Sequence, residues 1–562
     1  MSTLLIWKGP RKKRLDAPEQ ALSRITARVV VGAVQEPVQL PIKKLTICFF
    51  QQVTLPFAFR RSSRTVATMS NYRFNLSRHL LMTPSSWHMP ARSFVSRTTT
   101  QKGAKHRLFA THSKRGVDAV SLLPTYLADA RVVERYSPET PHGALQLGIA
   151  ENQMLEDLLV PALTKFGSTP FAADCIYYQP TQGRPGLRQA MADYLRRTLK
   201  LSKPLKPESL ILGAGCNAVL ENLCIALADP GQGVLIPTPY YAAFEFDLGA
   251  RASLHVIPVT TFAGSGVSVP PIDSTEAIPI EAYYPTHASL EATYQRAIEN
   301  GEDPRILLIS HPNNPLGICY PAYVVEDCIA WCRSRQIHLI SDEIYAGSVY
   351  GNPSVFTSAI ELAGDLGEYV HLIYALSKDF ALSGLRVGVC YSENPDIQVP
   401  LQKLNDLCQI SSQTQTLVEN MLKEQNADSG DYWTSTFLQE SCARLRARGL
   451  ALSTVLVECG IPHLPADSGL FCWMDFGDFL PPLDPASVIQ NGSEDPQSMQ
   501  QRERSLYLEL MNHYGLLFTP GLSMRNERPG FFRFVFSAAS EEEFDMSLIR
   551  LRKFATEKKG TI

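Results

Sequence analysis

Five short apolar runs recur along the middle of the chain: Val234–Ile236, Arg305–Ile309, Ile337–Ile340, Val370–Tyr374 and Arg386–Cys390. Each is rich in β-branched residues and closes on a turn signal. The runs are near-continuous rather than alternating, as expected of strands buried on both faces of a parallel sheet. Parallel neighbours need crossover connections, and the intervening stretches at 218–228 and 322–335 are long enough for helices. Strand and helix in alternation predict an α/β fold with a doubly wound, mostly parallel sheet. Ligands in such sheets bind outside the carboxyl ends of the strands, so polar residues just after the runs are the first candidates for chemistry.

Charge divides the chain. Its 562 residues carry a net charge of −2, yet residues 1–110 hold 19 Lys and Arg against only Asp16, Glu19 and Glu36. The remainder holds 34 bases and 52 acids. RKKR at 11–14 and RRSSR at 60–64 stand in the basic segment, and no acid lies between Met69 and Arg107. Three readings stay open for 1–112: an unstructured extension or one the mature chain lacks, a mitochondrial targeting stretch from near Met69, or a nucleic-acid arm. The last has no accompanying helix-turn-helix, zinc knuckle or aromatic-basic motif, so no nucleic-acid partner is expected. The body is expected in the cytoplasm unless the basic segment is a transit peptide. No apolar run approaches the ~20 residues of a membrane span. The twelve Cys form no CxxC pair and no zinc-finger cluster, so neither a metal site nor a disulfide scaffold is expected.

The C-terminal part has a different texture. A helical stretch at 411–457 precedes short strands near 469–475 and 531–537, and a helix is expected over 540–556. Pro481–Gln500 reads as a surface loop. These patterns predict a second, smaller α+β domain. The expected boundaries are 113–168 for its N-terminal part, 169–415 for the large domain and 416–562 for its C-terminal part.

Four features sit at strand ends. Ser377-Lys378 is followed eight residues later by Arg386. Asp342 and Tyr345 lie in Ser-Asp-Glu-Ile-Tyr, after the run 337–340. Asn314 lies in His-Pro-Asn-Asn-Pro-Leu-Gly, after 305–309. Gly213-Ala-Gly215-Cys216-Asn-Ala218 stands between a short apolar run and a helix. A lone Lys at a strand end is ordinarily a solvated side chain. Order and shared placement make these four a constellation.

In these residues the chain resembles the class I/II, fold-type I aminotransferases that use pyridoxal 5′-phosphate. It looks most like their 1-aminocyclopropane-1-carboxylate (ACC) synthase branch. Leu147-Gly-Ile-Ala-Glu-Asn-Gln153, Pro237-Thr-Pro-Tyr-Tyr241 and Phe532-Arg-Phe-Val-Phe-Ser537 carry the branch likeness. The resemblance runs from about Ser113 to about 556. It implies that Lys378 holds the cofactor aldehyde as a Schiff base and then moves the substrate Cα proton. Asp342 is implied to face the ring nitrogen, and Asn314 and Tyr345 the ring oxygen. Arg386, Ser377 and the Gly215-Cys216 helix start are implied for the phosphate. Tyr241, or alternatively Tyr240, would stack on the ring, and Arg533 would grip the substrate α-carboxylate with Asn314 and Glu151 nearby. Fold-type I enzymes commonly pair as homodimers, in which Tyr178 would reach the partner's cofactor.

Two positions depart from the pattern. Ala375 stands three residues before the Lys, where these enzymes usually carry a phosphate-binding Ser or Thr, and Ser377 points elsewhere if the strand alternates. In Tyr178-Gln-Pro-Thr-Gln-Gly183, Thr181 stands where ACC synthases carry a Tyr linked to elimination. Tyr178, five before the Gly, has ordinary aminotransferase spacing. The leading expectation is therefore transfer of an amino group from an α-amino acid to a 2-oxo acid. An ACC synthase-like or carbon–sulfur lyase is the alternative, and a catalytically inactive cofactor-binding regulator a second one.

Overall fold

The computed structural model describes residues 113–170, 172–270, 277–352, 355–487 and 494–560. The described residues all belong to one compact unit. The readings of residues 1–112 lie outside the described residues.

After the two-residue strand β1 (Leu145–Gln146), one seven-stranded sheet forms from β2 (Leu210–Gly213), β3 (Gly233–Pro237), β4 (His255–Val259), β5 (Pro304–Ser310), β6 (His338–Asp342), β7 (Val370–Ala375) and β8 (Gly388–Ser392). Its order is β2-β8-β7-β6-β5-β3-β4. Neighbours from β4 to β7 are parallel, as expected. The run at 386–390 is the exception, because β8 pairs antiparallel with both β7 and β2. The link from Ala375 to Gly388 holds only a helical turn and a 3-10 turn, too little for a crossover. The strand also starts two residues later than the run, leaving Arg386 before it in the left-handed region (φ 54°). Strand β4 went unrecognised in the sequence because it contains Pro258. Proline is tolerated at a sheet edge, which is where β4 lies.

Helices Cys216–Leu227, His287–Glu299 and Ala322–Arg335 pack on this sheet. Its strands are buried on both faces: β2, β3, β6, β7 and β8 expose no residue. The register sets Ser310 beside Asp342 and Asp342 beside Ile373, so the carboxyl ends of β5, β6 and β7 finish level.

The C-terminal part builds a three-stranded antiparallel sheet, β11-β12-β9, from β9 (Cys472–Asp475), β11 (Thr519–Pro520) and β12 (Phe531–Phe534). Strand β10 (Leu516–Leu517) pairs in parallel with β1 and ties the N-terminal segment to this part. The long helical stretch splits into Ser412–Lys423 and Trp433–Glu458. The final helix, Glu541–Lys559, starts at a Ser540/Glu543 capping box. The expected loop 481–500 ends early: Asp495 accepts from the Gln497 and Ser498 amides, and Pro496 opens a helix to Asn512. Among the described residues no helix is long and apolar enough to cross a membrane.

Candidate active site

One cavity at the carboxyl edge of the large sheet is lined by Lys378, Asp342, Asn314, Tyr345, Tyr241, Ser377, Cys216 and Arg386. Their convergence follows from topology. Asp342 ends β6, Asn314 follows β5, and Lys378 sits on the helical turn Leu376–Asp379 immediately after β7. That turn also resolves the Ser377 question. The strand stops at Ala375, alternation ends with it, and Ser377 faces the cavity. Ala375 is fully buried and does not line the cavity.

The Lys378 amine donates to the Ala150 carbonyl at 2.6 Å. Burial first, then the charge of Arg533, pushes its pKa down to about 8. A lysine in this state is a neutral nucleophile and base within reach of physiological pH. Asp342 is buried, accepts from the Ile344 amide at 3.3 Å, and is pushed up to about 7, chiefly by burial. The positive charge of Lys378 opposes that rise and the negative charge of Asp247 adds to it. A buried carboxylate with a single long hydrogen bond favours a cationic partner.

Arg533 lies on β12 and is 3% exposed. Its guanidinium donates to Asn314 Oδ1 and the Gly148 carbonyl, both at 2.7 Å, and to Thr519 Oγ1 at 3.3 Å. These acceptors are all neutral, and its Nε is buried without a partner. The group lies 5.4 Å from the centre of the Phe471 ring. A desolvated cation without a counter-ion among the described residues is costly in isolation and forms a ready receptor for a carboxylate.

Helix Cys216–Leu227, whose first residues line the cavity, starts with no side-chain cap and no acid in its first turn. Its first amides therefore lack intrahelical acceptors. Gly215 caps it at φ 99°, and a Cβ there would stand 2.3 Å from Arg386 Nη2. Only glycine permits this approach of guanidinium to helix start, which together make an anion cradle. Arg386 Nη1 is held by the Ser383 carbonyl at 3.0 Å.

Of the two tyrosines, Tyr241 lines the cavity, whereas Tyr240 is buried with its hydroxyl on Glu245 at 2.8 Å. Tyr345 is buried edge-on to Phe471, and desolvation raises its phenol pKa. Glu151 is exposed and accepts from Ser383 Oγ at 3.3 Å, and its charge is felt at Lys378. Tyr178 is 100% exposed and is not brought to this cavity.

Sequence reasoning missed Asp247, Asn217, Ser310, Ser383 and Tyr126. Asp247 lines the cavity, accepts from Asn217 Nδ2 at 2.8 Å and is raised by burial to about 6. Its only sequence signal is its place six residues after Tyr241, on the next helical turn. The Tyr126 hydroxyl meets Thr519 beside Arg533. It comes from a helix far upstream, and no local pattern announces that.

The family model described as aminotransferase class I and II matches residues 147–551. The chain belongs to this family. Its members use pyridoxal 5′-phosphate. The cavity fits that group by its own chemistry: an amine of lowered pKa, a buried carboxylate without a counter-ion, and a glycine-cleared anion cradle. Among curated relatives, an ACC synthase of Arabidopsis thaliana is 30% identical over 431 residues, covering 74% of this chain and 85% of the relative. One from Nicotiana tabacum is 31% identical over 438 residues, covering 75% and 81%. Among solved structures, the fold is shared with a Thermus thermophilus aspartate aminotransferase mutant (TM-score 0.55, 21% identity, 81% of this chain and 100% of that one). It is also shared with the aromatic aminotransferase of Pyrococcus horikoshii (TM-score 0.57, 18% identity, 79% and 99%).

Proposed function

We propose that this family member is an aminotransferase that takes the amino group from an α-amino acid and passes it to a 2-oxo acid. The observation that carries the reading is Lys378, an amine of lowered pKa that shares a cavity with the buried Asp342 and with Asn314, to which the counter-ion-free Arg533 donates at 2.7 Å. Pyridoxal phosphate bound here supplies an electron-poor ring that draws charge away from the substrate Cα. Arg533 binds the α-carboxylate and fixes the Cα–H toward the lysine. Lys378 Nζ would take that proton from the Cα of the donor amino acid and, in the return half of the transfer, deliver one to the Cα of the product amino acid. Asp342 would face the ring nitrogen and keep it protonated, Asn314 and Tyr345 would serve the ring oxygen, and Tyr241 would lie against the ring. Arg386, Ser377 and the helix start at Gly215-Cys216 would hold the phosphate. The chain is divided at about 169 and 416 into a large cofactor domain and a small domain, with Arg533 supplied by the latter.

A second reading is supported by the curated relatives, which are named ACC synthases, and by Glu151 beside Ser383 and Lys378. It is a lyase acting with the same lysine. Thr181 favours transfer. The fully exposed Tyr178 and neighbouring Tyr177 suit a homodimer in which Tyr178 enters the partner's cavity. The compartment depends on whether residues 1–112 persist, which mass spectrometry of the native N-terminus reads directly.

The test incubates purified protein with S-adenosylmethionine, with an S-conjugate, or with amino acid plus 2-oxo acid. Amino transfer that needs the oxo acid supports the proposal. Release of ACC or pyruvate without it establishes the lyase. No cofactor spectral change with any substrate establishes the inactive regulator.

A further inference from the structure

The residue after the lysine is buried, acidic and unused by the mechanism above. Asp379 ends the helical turn Leu376–Asp379 and is fully shielded from solvent. Its carboxylate accepts from the Gly347 amide at 2.7 Å, from Ser348 Oγ at 2.6 Å and from Tyr374 Oη at 2.8 Å. Two donors belong to the turn that follows Tyr345, and the third to β7, the strand that delivers Lys378. The approach is close enough to restrict the partner: a Cβ at Gly347 would fall 2.7 Å from Asp379 Oδ2. The assembly is anchored from outside as well. Tyr374 shares a 2.7 Å hydrogen bond with Tyr194 on helix Pro185–Thr198, and Cys442 Sγ donates to the Gly347 carbonyl at 3.4 Å.

From this we infer that Asp379 is a positioning residue, a clamp whose carboxylate locks the Lys378 turn to the Tyr345 turn and so fixes amine and phenol on the same cofactor. Three donors from two separate elements converge on one buried carboxyl group, and three hydrogen bonds on one group leave the turn no freedom to slide. Packing alone does not call for an acid here. An apolar side chain of similar size would fill the space but leave the Gly347 amide, the Ser348 hydroxyl and the Tyr374 phenol without their acceptor.

The inference rests on the reading of Lys378 as the cofactor lysine. Asn at 379 retains the shape and can still accept from Gly347 and Tyr374 through one oxygen while donating to Ser348. Ala retains nothing of the clamp. The experiment compares Asp379→Ala, Asp379→Asn and Gly347→Ala as cofactor-loaded full-length proteins. It measures kcat and KM with the amino acid and the visible circular dichroism of the bound cofactor. Asp379→Ala is expected to lower kcat about 10²-fold, the loss a misplacement of about 1 Å produces, with KM changed less than about threefold. Its visible circular dichroism should weaken while the far-ultraviolet spectrum stays that of the parent. Asp379→Asn should recover most of both signals. If Asp379→Ala does not fold, Gly347→Ala carries the test by pressing a methyl into the clamp, with the same split between kcat and KM. The clamp is overturned if whichever variant folds keeps parental kcat and visible circular dichroism, or if kcat falls only in step with far-ultraviolet signal. The lysine reading fails separately, if borohydride fixes no cofactor on Lys378 in the unmutated protein.

Discussion

Replacing Arg533 by Gln removes a buried cation, bonded to the cavity-lining Asn314, that has no acid to answer it among the described residues. The residue is 3% exposed and spends its hydrogen bonds on Asn314, Gly148 and Thr519, all neutral. Its charge is therefore free to meet a substrate carboxylate. Truncating one partner of a buried, hydrogen-bonded charge pair costs about 2–5 kcal/mol. At about 1.4 kcal/mol per tenfold, kcat/KM for the amino acid should fall between about 30-fold and a few thousand-fold. A Gln amide can replace the bond to Asn314 or to Gly148 but not the fork, so the loss should come mainly as a raised KM. Arg533→Lys keeps the charge without the planar geometry and should lie between the two. The same change also reaches the lysine. Arg533 is the second cause, after burial, of the lowered Lys378 pKa, so removing it should raise that pKa above about 8. The assay is steady-state kinetics with an α-amino acid and with the matching amine that lacks the carboxylate. Arg533→Gln should cripple the first and leave slow turnover of the second unchanged. Loss of less than tenfold on the amino acid, or equal loss on both compounds, would refute the carboxylate assignment.

Other outcomes follow from the same geometry. Cofactor-free protein should capture pyridoxal phosphate with a rate that rises with pH about a midpoint near 8, where Lys378 loses its proton; an ordinary lysine midpoint near 10.5 would contradict the burial argument. Asp342 holds its proton in the fold up to about 7 but only to about 3.8 when unfolded. The stability this contributes is present at acid pH and lost as pH rises through 7. Cofactor-free Asp342→Asn should thus melt higher than its parent at alkaline pH and gain less at acid pH, while kcat of the loaded enzyme drops about 10²–10³-fold. Gly215→Ala sets a methyl against Arg386 at a backbone angle disfavoured for alanine, and equilibrium dialysis should show weakened cofactor binding with the fold intact. Tyr178→Ala should lower activity only where size measurement shows a dimer, because in its own subunit the fully exposed side chain does not line the active-site cavity.

The large sheet was legible because its strands are buried on both faces and must read as unbroken apolar runs. Where a strand breaks that rule, reading fails: β4 hides behind Pro258, and β8 looks like its parallel neighbours because antiparallel pairing leaves no mark on a fully buried strand. The site was legible wherever a functional group closes a strand, as Asp342 and Lys378 do. Ser377 was misjudged because strand geometry was carried two residues past the end of β7, into a helical turn. Asp247, Tyr126 and Asp379 were invisible for a shared reason. Their partners lie on other elements, and an acid or a tyrosine at a helix end carries no sign of what tertiary folding sets against it.

Every role proposed for the cavity depends on Lys378 as the covalent anchor. Reducing the cofactor-loaded protein with borohydride, digesting it and sequencing the labelled peptide by mass spectrometry reads this directly. The expected result is one pyridoxyl group on the peptide bearing Lys378, absent from Lys378→Ala along with the visible absorbance band. Label on another lysine, or a band that survives the substitution, would contradict it.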